Sequence, residues 1–326
     1  MNLIIHVGQP KTGTTSIQNI LKINSKKIQE LGFLYETNSL NHQPMVQDIL
    51  ASENVDAALH NFVSYQKDLA RQRDCKSIIL SSEAFFEFDS EFIRKMLKEF
   101  DCNTRIVAYL KRQDLYLESI WKQWHFKNKH YANFSEFVEK FKFLDYLVTL
   151  ENWEKLVGAE NITVVPFEKR EMKNGLLSGF MEILGVPKDK ISELDFNVPK
   201  NMFGTNQGLS PKGLKFASLV SEFANGPLDY TIENFIHEYL SDVFHKNYFE
   251  GYGLFDLDAR KQYLSAFSNS NKELANKFLC RDSLFLDEIK EEKIDVNLNF
   301  EDIARVVMSM GMKFDKKLKD MKCDKS

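Results

Sequence analysis

Short apolar runs alternate with helical segments through the first two thirds of this chain, and that alternation constrains its fold more than any other feature. Most of the runs are apolar at successive positions, as expected of strands that are covered on both faces of a sheet. They lie at residues 3–7, 32–36, 77–82, 105–110 and 161–168. Strands separated by helices of this length predict an α/β fold, a three-layer sandwich with a central, mainly parallel sheet.

Helical periodicity fills the intervals between these runs. It predicts helices at 14–23, within 44–73, from Ser90 onward, at about 114–129, at 146–157 and at 174–184. Beyond about residue 205 the helical pattern continues, and no strand pattern is convincing. We therefore expect an α/β core at residues 1–204, which binds the ligand, and a mainly helical C-terminal part of the same domain at residues 205–326.

Composition excludes several classes of protein. The chain has 43 basic and 47 acidic residues and a formal net charge of -4, so it lacks the basic excess that is typical of a nucleic-acid-binding domain. It has no apolar run long enough for a membrane span and no signal-peptide pattern at its start. Its four cysteines are scattered, which indicates neither a disulfide framework nor a zinc site and suits a reducing cytoplasm.

The loop after the first apolar run has the glycine spacing of a phosphate-binding loop but a displaced lysine. In VGQPKTGTTS, residues 7–16, Gly8 and Gly13 have the spacing of G-x-x-x-x-G-K-[ST], yet Thr14 occupies the lysine position. The lysine of this loop is Lys11, which lies between the two glycines. Backbone N–H groups at the start of the following helix, together with the helix dipole, predict an anion-binding site here.

This loop resembles a motif of the sulfotransferase family, whose members use 3′-phosphoadenosine 5′-phosphosulfate as the sulfuryl donor. PKTGTTS matches every position of the family pattern P-K-x-G-[TS]-[TS]. Further segments resemble the family over nearly the whole chain, although the loop motif is the specific one. These segments are SSE, VAYLKRQDLYLESIW, NITVVPFEKR with FMEILGVP, and FSNSNKELANKF.

The resemblance implies how the donor is held. Lys11 would donate to the 5′-phosphate and to the bridging oxygen of the bond that breaks. A sulfuryl group carries less negative charge than a γ-phosphoryl group, so a lysine and a helix end can suffice without a metal ion. The residues implied in holding the 5′-phosphosulfate are Pro10, Lys11, Thr12, Gly13, Thr14, Thr15 and Ser16.

A second segment resembles the part of the family that binds the donor's 3′-phosphate. The family pattern places an arginine eight residues before a serine, but here Lys111 stands eight residues before Ser119, and Arg112 comes one residue later. Either cation could lead the contact with the 3′-phosphate. The resemblance also implies donor contacts from a later Gly- and Asn-rich segment, through Lys200, Asn206 and Ser210.

Sulfuryl transfer to a hydroxyl needs a general base, and the sequence offers two candidates. Glu83 follows the run at 77–82, where some family members carry a catalytic histidine. His42 follows the run at 32–36, and its imidazole suits proton transfer near neutral pH. The two could divide the work, one acting as the base and the other holding the acceptor.

The resemblance thus implies a cytoplasmic sulfotransferase that acts on a hydroxyl, carried by a carbohydrate or a glycolipid. A kinase-like phosphotransferase is one alternative, and it would need Mg²⁺ and an aspartate after an apolar strand. A nucleotide-binding relative without catalytic activity is another. Neither the identity of the acceptor nor the oligomeric state follows from the sequence.

Overall fold

The structure is a computed structural model of the 326-residue chain. It describes residues 1–86, 90–128, 134–140, 144–197, 210–213, 215–216, 219, 243–244, 252–290 and 297–323.

Five parallel strands form the central sheet in the order β2-β3-β1-β4-β5. The first strand is therefore the middle one, and Ile5 is in register with Leu80 on one side and Ile106 on the other. This arrangement confirms the predicted α/β fold with a parallel sheet. The strands are β1 (Asn2–Gly8), β2 (Phe33–Leu34), β3 (Ser77–Ser81), β4 (Asn103–Leu110) and β5 (Ile162–Pro166).

The described helices include every segment predicted before residue 205 and three short ones in that part of the chain that were not predicted; most of the helical pattern predicted at 214–244 lies outside the described residues. The three, α2, α7 and α10, have five to seven residues each, which is too short to display a clear helical period. The helices are α1 (Thr14–Ile23), α2 (Ser25–Glu30), α3 (Gln43–Leu50), α4 (Val55–Gln72), α5 (Ser90–Phe100), α6 (Gln113–Asn128), α7 (Phe134–Lys140), α8 (Tyr146–Val157), α9 (Leu176–Ile183), α10 (Lys188–Ser192), α11 (Leu257–Ser265), α12 (Ser268–Leu279) and α13 (Phe300–Cys323).

Helices cover both faces of the sheet, which confirms the three-layer sandwich. Successive side chains of a strand point to opposite faces. Leu3, Ile5 and Val7 of β1 belong to one continuous apolar core with residues of α3, α4, α5, α8 and α12. His6 faces the other side, where its ring contacts Phe180 of α9, and α9 packs against α1.

The chain forms two compact units that interleave along the sequence. Unit 1 comprises residues 1–113, 143–205 and 262–288, and it contains the whole sheet. Unit 2 comprises residues 114–142, 206–261 and 289–326, and the elements described in it are helical. No helix among the described residues is long and apolar enough to cross a membrane.

Candidate functional site

The glycine loop lies at the carboxyl edge of the sheet, between the ends of β3 and β4. Gly13 has a left-handed backbone with φ of 79°, and a Cβ atom there would lie 2.2 Å from Leu176. A Cβ atom on Gly8 would lie 2.0 Å from the Thr14 methyl group. Gly8 is therefore required by close packing, and Gly13 by its left-handed backbone conformation.

Lys11 is held in a conformation that residues with a side chain rarely adopt. Its φ is 71°, in the left-handed region, which costs about 1–2 kcal/mol for a residue other than glycine. Such strain persists where surrounding contacts impose it, and it concentrates at ligand-binding loops. In this conformation the half-buried Lys11 stands between the two glycines, within the predicted anion site.

The start of α1 presents a group of unused backbone donors. In the described part of the chain, the N–H groups of residues 12–15 make no hydrogen bond, whereas those of Ser16 and Ile17 donate to the Gly13 carbonyl. The Thr12 hydroxyl donates to the Gln9 carbonyl at 2.6 Å and thus closes the loop. Unpaired N–H groups at the positive end of a helix dipole can bind an anion.

Glu83 lies beside this loop, as its position after β3 predicts. The Thr14 hydroxyl donates to Glu83 Oε1 at 2.5 Å, and so it joins the first residue of α1 to the turn that follows β3. That turn is fixed by Ser82, whose hydroxyl accepts the Ala84 N–H at 3.1 Å. Glu83 as a whole is only partly buried.

His42 is buried, and both of its ring nitrogens are occupied. Nδ1 accepts the Ser81 N–H at 3.1 Å, and Nε2 donates to the Glu36 carbonyl at 3.1 Å. Burial lowers the pKa of His42 from 6.5 to about 4, so the ring is neutral near pH 7. In this arrangement His42 holds the loop before α3 against the end of β3, and neither nitrogen is free to accept a proton.

The cations after β4 lie in a buried setting. Lys111 places its Nζ atom 5.9 Å from the centre of the Phe167 ring, and its side chain is 5% exposed. Arg112 is also buried, and its Nη1 donates to the Asp287 carbonyl at 3.2 Å. Both residues follow β4, so their backbones lie at the same sheet edge as the glycine loop.

The remaining predicted donor contacts belong to other segments of the chain. Ser119 lies in α6, in unit 2, and its hydroxyl donates to the Leu115 carbonyl within the same helix at 2.7 Å. Ser210 accepts the Gly213 N–H at 3.2 Å and so begins a helical turn. Lys200 and Asn206 lie outside the described residues.

Two residues that the sequence did not single out shape this edge. Gln9 is fully buried; its side chain donates to the Tyr146 hydroxyl at 2.8 Å and accepts the Lys111 N–H at 2.9 Å. It therefore ties the glycine loop to the end of β4. Glu168 follows β5 and accepts the N–H groups of Leu286 and Asp287 at 2.7–2.9 Å. A polar residue next to a strand end was the available signal for both.

No group of histidine, cysteine, aspartate and glutamate side chains that could hold a metal ion occurs among the described residues.

Comparison with known proteins finds no matching family model. An uncharacterized protein of Archaeoglobus fulgidus is 26% identical over 253 residues, which are 75% of this chain and 66% of that relative, just under two thirds of its length. Two solved structures are similar, and both are described as sulfotransferases. The match to the structure from Alicyclobacillus acidocaldarius has a TM-score of 0.39 and 17% identity, and it covers 73% of this chain and 97% of the other chain. The domain from the curacin biosynthetic pathway has a TM-score of 0.37 and 10% identity, with coverage of 72% and 96%.

Proposed function

We propose that this protein is a sulfotransferase that moves a sulfuryl group from 3′-phosphoadenosine 5′-phosphosulfate to a hydroxyl. The observation that carries the proposal is the loop of residues 8–16. Its four unused N–H groups and Lys11 converge at the start of a helix, in a sequence that matches the family's donor motif at every position. The sheet edge adds Glu83 on one side of the loop and the pair Lys111 and Arg112 on the other.

The donor would bind with its 5′-phosphosulfate in the loop. The N–H groups of residues 12–15 and the hydroxyls of Thr14, Thr15 and Ser16 would surround the phosphate, with Pro10 turning the chain. Lys11 would neutralise the charge that develops on the bridging oxygen when the bond to sulfur breaks. Lys111 and Arg112 would hold the 3′-phosphate. Ser119, Lys200, Asn206 and Ser210 remain proposed donor contacts from the resemblance alone.

The acceptor hydroxyl would attack sulfur in line with the leaving phosphate. The new S–O bond forms as the bridging S–O bond breaks, its electron pair goes to the phosphate oxygen, and the hydroxyl proton goes to a general base. We propose Glu83 as this base, because it is only partly buried and adjoins the loop, whereas both nitrogens of His42 are bonded to the backbone. His42 then acts by positioning the end of β3.

The Thr14 hydroxyl has one proton and therefore can donate to one strong acceptor at a time. It donates to Glu83 in the structure described above. If a bound 5′-phosphate accepts this proton instead, Glu83 loses a hydrogen bond and turns to the acceptor. A carbohydrate or glycolipid hydroxyl, met in the cytoplasm, is the acceptor class that we propose from the resemblance.

A kinase-like activity is the second candidate, and the residues that follow the strands disfavour it. A metal-dependent phosphotransferase of this kind would need an aspartate directly after an apolar strand. Among the described strand ends, β3 is followed by Ser82 and Glu83, β4 by Lys111 and Arg112, and β5 by Phe167 and Glu168. A relative that binds nucleotide without turnover is the third candidate, and it is separated from the first by activity alone.

Thermal denaturation with two ligands tests the proposal. Adenosine 3′,5′-bisphosphate without metal should stabilise the protein by about 2.7 kcal/mol at a hundred times its Kd. Lys11→Ala should reduce this stabilisation, and the exposed Lys26→Ala serves as the matched control. Stabilisation by ATP with Mg²⁺ alone would replace the sulfotransferase proposal with the kinase one. Turnover that persists in EDTA would support metal-free transfer.

A further inference from the structure

Two side-chain hydrogen bonds join helix α1 to the end of β3. The Thr14 hydroxyl donates to Glu83 Oε1 at 2.5 Å, and the Gln18 side-chain amide donates to the Ser81 hydroxyl at 3.1 Å. Thr14 and Gln18 are four residues apart, so they lie on the same side of α1. Gln18 and Ser81 are buried. The proposed base is therefore accompanied by a second, buried connection between the same two elements.

Ser81, the last residue of β3, is held through each of its polar groups. Its N–H donates to His42 Nδ1 at 3.1 Å, and its carbonyl accepts the His42 N–H at 2.9 Å. Its hydroxyl oxygen accepts the Gln18 amide, which leaves the hydroxyl proton for His6 Nδ1, 2.8 Å away. Since Glu83 follows only two residues later, these contacts fix the point from which the turn that carries Glu83 begins.

The His6 ring also packs against the start of the glycine loop. His6 lies in the central strand β1 and is fully buried, and burial lowers its pKa from 6.5 to about 3, so the ring is neutral near pH 7. A Cβ atom on Gly8 would lie 3.1 Å from His6 Nε2. One buried ring therefore contacts both the first residue of the loop and the last residue of β3.

Packing alone does not explain a histidine at this position. With Nδ1 accepting the Ser81 proton, the ring proton lies on Nε2, which has no hydrogen-bond partner within the described part of the chain. The ring otherwise contacts the rings of Tyr109 and Phe180. A buried donor without an acceptor lowers stability, and phenylalanine would fill the same space without one. What the histidine adds is its hydrogen bond to Ser81.

We propose that His6 is a positioning residue for the general base. Through Ser81 it fixes the end of β3, and it thereby holds the Glu83 carboxylate at a set distance from the glycine loop. A displacement of about 1 Å at a catalytic group can lower the rate about a hundredfold. His6 is fully buried and acts through Ser81, without touching substrate. The inference rests on the proposed function, because it concerns the transfer in which Glu83 takes up the proton.

Removal of the Ser81 hydroxyl tests this role. Ser81→Ala should lower kcat about tenfold to a hundredfold, measured with 3′-phosphoadenosine 5′-phosphosulfate and an active acceptor. The Kd for adenosine 3′,5′-bisphosphate, measured by calorimetry, should stay within a factor of a few, because the glycine loop keeps its own contacts. Ser77→Ala is the matched control, since Ser77 is buried on the same face at the start of β3, and it should retain wild-type kcat.

Two substitutions of His6 separate positioning from packing. His6→Phe keeps the ring but loses the acceptor of the Ser81 proton. His6→Asn loses the ring contacts but carries an amide oxygen at the place of Nδ1. We expect His6→Phe to have the higher melting temperature and His6→Asn the higher kcat. A role in packing alone predicts that kcat follows the melting temperature, so that order in this pair would overturn the proposal. Ser81→Ala carries the test if either variant fails to fold.

Crystal structures give a measurement that does not depend on turnover. The distance from Thr14 Oγ1 to Glu83 Oε1, 2.5 Å here, should lengthen in Ser81→Ala and stay the same in Ser77→Ala. An unchanged distance in Ser81→Ala would overturn the positioning role, whether or not the wild type is active. Wild-type kcat in Ser81→Ala, or an equal loss of nucleotide affinity, would do the same. A wild type without turnover would instead contradict the proposed function.

Discussion

Two glutamates follow strands of the same sheet, and they have opposite surroundings. Glu83 comes after β3, is partly exposed, and accepts one side-chain hydroxyl. Glu168 comes after β5, is 5% exposed, and accepts backbone N–H groups of Leu286 and Asp287. The same sequence rule, a polar residue at the carboxyl end of a parallel strand, therefore selects one glutamate that is only partly buried and one that anchors a segment.

The partners of each carboxylate explain the difference in role. Burial raises the pKa of Glu168, while the N–H groups of Asp287 and Leu286 act in the opposite direction. A carboxylate that has lost water in this way must have its oxygens satisfied by the protein, and the segment at 286–287 supplies the donors. Glu83 is only partly buried, which the proposed role of general base requires.

The largest expected effect tests whether catalysis takes place at the strand end near Glu83. Lys11→Ala should lower turnover roughly a hundredfold to a thousandfold, because one charge-stabilising donor contributes about 2.7–4 kcal/mol to the transition state. The measurement is kcat with 3′-phosphoadenosine 5′-phosphosulfate and an active acceptor. Lys26→Ala, on the neighbouring exposed helix surface, should retain wild-type turnover. Turnover like that of the wild type in Lys11→Ala would contradict the role of the loop.

Glu83→Gln should lower turnover on the order of a hundredfold, the lower part of the range for a general base. The amide cannot take up the acceptor proton but keeps an oxygen for the Thr14 hydroxyl. The affinity for adenosine 3′,5′-bisphosphate, measured by calorimetry, should therefore stay within a factor of a few of the wild-type value. A large loss of affinity would instead move Glu83 into the donor site.

The same chemical change at Glu168 should act on stability. Glu168→Gln replaces an accepting oxygen with an amide donor opposite the N–H groups of Leu286 and Asp287. The free energy of unfolding in urea should fall by about 1–3 kcal/mol, the range for a buried donor left without its acceptor. Glu83→Gln is the reciprocal control and should change stability little. Equal losses of stability in the two variants would remove the distinction drawn between these glutamates.

The last prediction concerns His42 and the pH dependence of stability. Because the pKa of His42 is about 4 in the folded chain and near 6.5 when unfolded, the unfolded chain binds more protons between these values. The free energy of unfolding should therefore rise with pH across that window, by up to about 1.4 kcal/mol per pH unit for this residue. His42→Asn should reduce the slope measured in urea titrations, and the buried His6, whose pKa is lowered to about 3 by burial, should maintain part of it.

The strands and the glycine loop could be predicted because their signals are local. Apolar runs such as residues 3–7 and the spacing of Gly8 and Gly13 need no knowledge of distant contacts. The roles of Gln9 and Glu168 could not be predicted, because each depends on partners more than one hundred residues away. His42 illustrates the same limit. Its imidazole matched the chemistry required of a base, but its burial and both of its partners are properties of the folded chain.

The interleaving of the two units has a consequence for synthesis of the chain on the ribosome. Strand β5 ends at Pro166, but α12, which packs against β5 and α8, begins only at Ser268. At 5–20 residues per second, roughly one hundred residues take about 5–20 s to translate. During that interval the apolar surface that Leu274 and Ala275 will cover stays open to water. A nascent chain at this stage is a ready client for a chaperone, and slow codons between these two elements would lengthen its exposure.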